Sequence, residues 1–196
     1  ELLIPAQLYR YTSDERYAYT FIRQHMGLVN HVGFSTSVFN ALDIAGQLRV
    51  GTESLMHVLQ SEHMTGEIFT AMLKTFWLQA HENLTNFYGT KDNNWASFAT
   101  GGVYSFIARF REVAVYDEWY KITQDENYRI TKGFVLEDGM CYELPLTYTS
   151  TILGTLYDPY IVQDETGISV PFDEEVLNIA YNIVKSLVYC SSPGFR

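Results

Sequence analysis

Glu53 and His57 stand four residues apart in a stretch of helical periodicity, a spacing that puts a carboxylate and an imidazole on one face as two potential metal ligands. The other histidines, His25, His31, His63 and His81, also fall in helical patterns, but none completes a Glu-x-x-His or His-Glu-x-x-His motif. Cys141 and Cys190 are not at ligand spacing, and Cys141 has no local activator that would make its thiol a nucleophile. The acid groups Asp125-Glu126, Glu137-Asp138, Asp164-Glu165 and Asp173-Glu174-Glu175 do not meet the spacing of a calcium loop. Glycine-rich phosphate loops and a Gly-x-Ser-x-Gly elbow are absent as well. Neither a metal nor a cofactor is expected from these spacings, and the missing catalytic pattern points away from an enzyme.

Charge is distributed unevenly. Fourteen of the 23 acids lie in residues 112–175, which hold only three bases, while residues 1–111 carry nine acids against eight bases. No cluster of Lys or Arg offers a face for phosphates, so specific nucleic-acid binding is not expected. No run of apolar residues is long enough to span a membrane. With 47% hydrophobic and only 18% charged residues, the chain has the composition of a folded, soluble protein. The two cysteines make no disulfide framework and fit a reducing or neutral compartment. The start at Glu1, without Met, fits removal of a leader or of a few residues. Asn83-Leu84-Thr85 is a glycosylation sequon inside a helical pattern, where chance occurrence is the default.

The elements that must position these side chains are mostly helical at first. Thr12-x-x-Glu15 reads as a capping box before a helix whose stripe is Ala18, Phe21, Ile22, His25, Leu28, Val29 and Val32, ended near Gly33. A second helix is expected over 36–48, and Gly51-Thr52 reopen the chain for a long helical region, 53–88, which Gly66 divides. Residues 89–94 read as a turn. The next stripe, Trp95, Phe98, Ala99, Phe106, Phe110 and Val113, is interrupted by Gly101-Gly102. From Asn127 the pattern alternates, Asp138-Gly139 signals a hairpin, and 148–156 is rich in Thr, Ser and Ile, so short strands with edge character are expected, punctuated by Pro145, Pro159 and Pro171. Pro171 and the acids after it open a final helix with the stripe Val176, Leu177, Ala180, Ile183, Val184, Leu187 and Val188.

The expected fold is therefore α+β: one domain, 1–196, with a helical body over 1–124 and 171–190 and a strand-rich, acidic, projecting insertion of small antiparallel sheet over 125–170. Its strand aromatics Tyr128, Tyr142, Tyr148, Tyr157 and Tyr160 are the candidate contact residues of an interface.

Two resemblances bear on function. Leu8-Tyr9-Arg10-Tyr11 with Phe34-Ser35-Thr36-Ser37 resembles the opening of the ADP-ribosyltransferase toxin family and implies an NAD pocket shaped by Arg10 and the Ser-Thr-Ser segment, although no Glu-x-Glu or Gln-x-Glu follows at a suitable distance. A helical body, a strand-rich insertion and the segment Ile168-Ser169-Val170-Pro171-Phe172-Asp173-Glu174-Glu175-Val176-Leu177 resemble the head-to-tail adaptor proteins of tailed bacteriophages. That resemblance implies a non-catalytic virion subunit that self-associates into a connector ring with other structural proteins, its acidic surface letting DNA pass without sticking. The alternatives are an NAD-using transferase and a monomeric module with a ligand cleft between sheet and helices.

Overall fold

The computed structural model describes residues 3–31, 40–87, 93–143, 146–168, 170, 172 and 174–191. Val32, Gly33, the tetrapeptide at 34–37, residues 89–92 of the expected turn, Pro145, Pro171 and Asp173 lie outside the described residues. Among the described residues eight helices follow one another: α1 (Leu3–Thr12), α2 (Glu15–His31), α3 (Asn40–Val58), α4 (Gly66–Phe87), α5 (Asn94–Arg109), α6 (Tyr116–Phe134), α7 (Leu146–Thr166) and α8 (Glu174–Ser191).

The expected α+β fold is thus corrected to an all-helical one. Within the described part of 125–170 the chain forms the second half of α6 and the whole of α7, and the only pairing of extended backbone is a single antiparallel bridge from Val135 to Cys141. Asp138-Gly139 does turn the chain there, with Gly139 at φ 86° and its N–H donating to the Leu136 carbonyl at 2.9 Å, but the turn joins two helices. Most of the described acids in this block are exposed, on helices and on the 135–142 turn, but two are drawn inward. Glu126 is buried and paired with Arg129 at 2.8 Å, and Asp158 is paired with Arg49 inside the concave wall described below.

Local signals explain the helix boundaries. The apolar lead at 3–12 is itself a helix, closed by Ser13 in the left-handed region (φ 55°), and α2 then begins with Asp14 Oδ1 accepting the Arg16 N–H at 3.0 Å. Thr12 therefore caps nothing in the expected box; its hydroxyl donates to the Leu8 carbonyl and accepts from the Asp14 N–H. Gly51-Thr52 lie inside α3, while Gly66 does mark a start, preceded by Thr65, whose hydroxyl accepts the Ile68 N–H.

Odd-numbered helices form an inner layer and even-numbered helices an outer one. Gly102 meets Ala45 and Gly101 meets Thr155, so α3, α5 and α7 lie side by side; the pairs Gly101–Thr155 and Arg109–Glu165 show that α5 and α7 run parallel, and α3 runs with them, since one wall carries Gly46 with Phe98 and, further along both helices, Glu53 with Arg109. The C-terminal ends of α1, α3 and α7 gather at one mouth, lined by Arg10, His57 and Glu165. The outer helices run back between them: Gln79 of α4 donates to Gln47 of α3 at 2.6 Å, and Phe76 packs at Gly51. Each consecutive pair is an αα-hairpin, and four hairpins make a curved double layer.

The core lies between the layers. Phe21, Leu48, Leu55, Met72, Phe76, Val103, Phe106 and Ile107 are wholly or almost wholly buried, and a second cluster around Ile130, Phe134, Ile152 and Ile183 closes the α6–α8 end. The Gly101-Gly102 pair, which reads in sequence as an interruption, is the tightest seam of the inner layer. A Cβ on Gly102 would stand 2.9 Å from the Ala45 carbonyl oxygen, and one on Gly101 would stand 2.9 Å from the Thr155 methyl. Two successive glycines thus let α5 approach a neighbour on each side. In α8 only Val176 and Ile183 of the expected stripe are fully buried, while Leu177, Val184 and Val188 remain exposed.

Candidate functional site

Parallel inner helices place chemistry at their ends. Counting back two turns, seven residues, from each member of the Gly101–Thr155 pair leads to Asn94 on α5 and Tyr148 on α7, which therefore sit at one level across the α5–α7 seam. Both are in the first turn of their helix. The backbone N–H groups and the positive ends of the helix dipoles of α3, α5 and α7 all point to this rim, which favours an anionic group.

Asn93 and Asn94 divide the work. Asn93 is extended (φ −153°), and its Oδ1 accepts the Ala96 N–H at 3.0 Å, so it caps α5 and fixes where the helix begins. Asn94, the first helical residue, is left with an amide that no described residue engages. Trp95 comes next and is 42% exposed. Tyr148 is 40% exposed, and its hydroxyl meets no partner among the described residues.

The approach to Tyr148 is braced from below. The Thr149 hydroxyl accepts the Cys141 N–H at 3.2 Å and lies 3.3 Å from Cys141 Sγ, locking the 135–142 turn to the first turn of α7. The turn's own geometry depends on Gly139, whose missing Cβ would lie 2.2 Å from the Asn182 backbone of α8. Cys141 is thus a buried packing residue, and Cys190 is exposed far along the chain, so the two thiols are both free. Glu143 follows in the chain, its Oε2 buried without a partner among the described residues.

Behind the rim the concave wall is polar but internally neutralised. A cavity of about 300 Å³ is lined by Arg49, Glu53, Phe98, Ser105, Arg109 and Asp158 among others. Arg49 pairs with Asp158 and lies 4.9 Å from the Phe98 ring centroid, and Arg109, almost wholly buried, pairs with Glu165 at 2.8 Å. Burial pushes the Asp158 carboxyl up, and the guanidiniums of Arg49 and Arg109 pull it back only in part. Glu53 and His57 do share one face of α3, 3.7 Å apart, and burial with Arg10 nearby lowers the His57 imidazole against the pull of Glu53 and Glu165. Among the described residues the three-residue group whose ligand atoms converge is a different one, Glu15, Glu62 and His63, where α2 begins. Its Glu15 carboxylate already accepts the hydroxyls of Ser61 at 2.5 Å and Tyr9 at 3.1 Å.

The five tyrosines expected to form one surface are dispersed. Tyr128 donates to Glu175 Oε2 at 2.6 Å and ties α6 to α8, Tyr142 stands edge-on to Phe134 at 4.7 Å, and Tyr160 packs near Phe172. Tyr157 is exposed on α7 about two and a half turns beyond the rim. Only Tyr148 falls at the rim with Asn94, and Asn94 and Trp95 were read in sequence as turn and stripe residues. The missing signal was the pairing of α5 with α7, which residue spacing along one chain does not carry. Asn83 of the sequon is buried, which leaves no room for a glycan.

A curved double layer of αα-hairpins, with parallel inner helices opening on a polar rim, is the architectural class that fold and site define. The chain belongs to the heparinase II/III N-terminus family, whose profile matches residues 4–195. Among solved structures it is similar to heparinase III (16% identity over 99% of this chain and 30% of that one, TM-score 0.86). It is also similar to the heparan sulfate lyase HepC from Pedobacter heparinus (19% identity over 98% of this chain and 31% of that one, TM-score 0.76). At these identities the likeness is one of fold, and the chain spans about a third of the length of the solved structures it matches. A search of curated proteins finds no match.

These findings overturn the functional expectations from sequence. The phage connector reading, with its virion location, and the ADP-ribosyltransferase reading both give way to a family of heparinase domains. Physically, the connector resemblance rested on an inserted sheet that is absent among the described residues, and Arg10, the proposed NAD contact, lies in helix α1 at the opposite mouth from the rim. No helix among the described residues is long and apolar enough to cross a membrane.

Proposed function

We propose that this chain is the helical portion of a polysaccharide lyase that cleaves an acidic, uronate-containing polysaccharide by β-elimination at the rim of α5 and α7. The observation that carries the reading is the phenol of Tyr148 level with the amide of Asn94, neither engaged by a described residue, at the positive ends of parallel helices, in a chain of this family. Elimination next to a carboxylate needs two things. The carboxylate must be stabilised as charge builds on it, and a proton must move from C5 to the departing O4 as the C4–O4 bond breaks and a C4–C5 double bond forms. No water is consumed and no electrons are gained or lost. The Asn94 amide N–H and the helix N-termini supply the first role, and the Tyr148 oxygen the second.

The neutralised wall below the rim supports the same reading, since the pairs Arg49–Asp158 and Arg109–Glu165 leave little free positive charge to draw a polyanion into the cavity. The test is to incubate the whole gene product that contains this chain with heparan sulfate and follow the ultraviolet absorbance of the new double bond. Tyr148→Phe is expected to lower kcat by a factor of at least about 100, a loss of general acid–base catalysis, with the fold intact. Absence of the double bond with the wild-type protein on any uronate polysaccharide would overturn the proposal.

A further inference from the structure

The three tryptophans are placed very differently. Trp119 is buried, and Trp77 stacks on it with centroids 5.6 Å apart and also on His81. Trp95 has no ring partner and no partner for its indole N–H among the described residues, and it stands 42% exposed at the rim. Its exposure leaves an indole face open to a ligand at the rim, unlike the stacked rings of Trp77 and Trp119.

Helix geometry fixes the direction. Two turns after Trp95 comes Gly102, the residue of α5 that touches α3, and two turns after Asn94 comes Gly101, the residue that touches α7. The indole therefore lies on the α3 side of the rim and the Asn94 amide on the α7 side, in one line with Tyr148. A saccharide chain laid across the N-terminal ends of α7, α5 and α3 meets these groups in that order.

We infer that Trp95 is a stacking platform for the pyranose ring next to the one presented to Tyr148 and Asn94, a subsite that positions the substrate without taking part in proton transfer. The inference rests on the lyase reading. Pyranose rings expose a face of C–H bonds that packs on an aromatic ring, and an indole N–H can donate to a ring hydroxyl or an acidic substituent.

The experiment compares wild type, Trp95→Ala and Trp95→Phe in the whole gene product, with heparan sulfate as the probe and the double bond as the readout. Trp95→Ala is expected to raise KM about tenfold with kcat within about twofold, and Trp95→Phe, which keeps a flat ring, to return KM to within about threefold of wild type. An unchanged KM in Trp95→Ala, or a fall in kcat with KM constant, overturns the platform while leaving the lyase reading in place. A wild-type protein that forms no double bond overturns both. If Trp95→Ala does not fold, titration of this chain with heparan sulfate oligosaccharides decides. The platform requires a change in tryptophan emission that Trp95→Phe abolishes, and a change that persists in Trp95→Phe contradicts it.

Discussion

The rim of the inner helices and the layer beneath it are built from the same three helices and follow opposite rules. Beneath the rim, each buried guanidinium has a carboxylate, Arg109 with Glu165 and Arg49 with Asp158, and backbones close to van der Waals contact at Gly102–Ala45. At the rim, an amide, a phenol and an indole stand side by side with no partner among the described residues. An unsatisfied polar group in the lower layer would cost stability, whereas at the rim it is free to meet a ligand. The difference separates residues that hold the arc together from those that act, and it predicts that the two sets respond to substitution in opposite ways.

The largest expected effect is in the seam. Gly102→Val forces a branched side chain against the Ala45 backbone, which cannot rotate away, and should cost about 4 kcal/mol, above the usual range for overpacking. Urea denaturation measures it, and a loss under 1 kcal/mol would mean the inner helices are not in close contact.

Acid attacks the core between the two layers, at His25 of α2. This imidazole lies between Phe21 and Phe76, with neither nitrogen hydrogen-bonded among the described residues, and burial holds its pKa down to about 4 against an ordinary 6.5. Because the folded value is the lower one, the unfolded chain binds the proton first. His25 therefore has no effect on stability above pH 6.5, and the protein loses stability as pH falls from 6.5 towards 4, by on the order of 3 kcal/mol in all. His25→Leu should remove that part of the acid slope in melts taken between pH 7 and pH 4.5; an unchanged slope would place the proton elsewhere.

A smaller loss is expected from Glu165→Gln. It leaves Arg109 buried and without its counter-charge, but Glu165 is partly exposed and water can enter, so about 2 kcal/mol is expected from thermal melts. Smallest of all, Asn94→Ala and Trp95→Ala should change stability by no more than about 0.5 kcal/mol, the scale of exposed substitutions away from caps and cores. A large loss at either would move it from the acting set to the holding set.

How much of this was legible in the sequence follows the same division. The stripe Ala18, Phe21, Ile22 and His25 is buried as its period implies, because an outer helix shows one face to the core and one to water. α7 was read as strands for a physical reason. An inner helix is flanked by α5, backed by α8 and open to the concave face, so its buried positions, Thr149, Ile152, Thr155, Leu156, Pro159 and Val162, make no simple stripe. Its Thr, Ile and Tyr content then mimics strand propensity, and Pro159 inside the helix deepens the disguise. Tyr148 was singled out as a strand aromatic, so its place at the rim was reached by a wrong route. Asn94 and Trp95 carry no local signature at all. They become a site only when α5 and α7 lie parallel at the register that Gly101 and Thr155 fix.

The most direct test of the central claim is the rate of double-bond formation on heparan sulfate by the gene product carrying Tyr148→Phe, read beside its melting temperature. A fall in kcat of at least about 100-fold is expected, with the melting temperature unmoved. Wild-type turnover by Tyr148→Phe would contradict it and remove the rim of α5 and α7 from the chemistry.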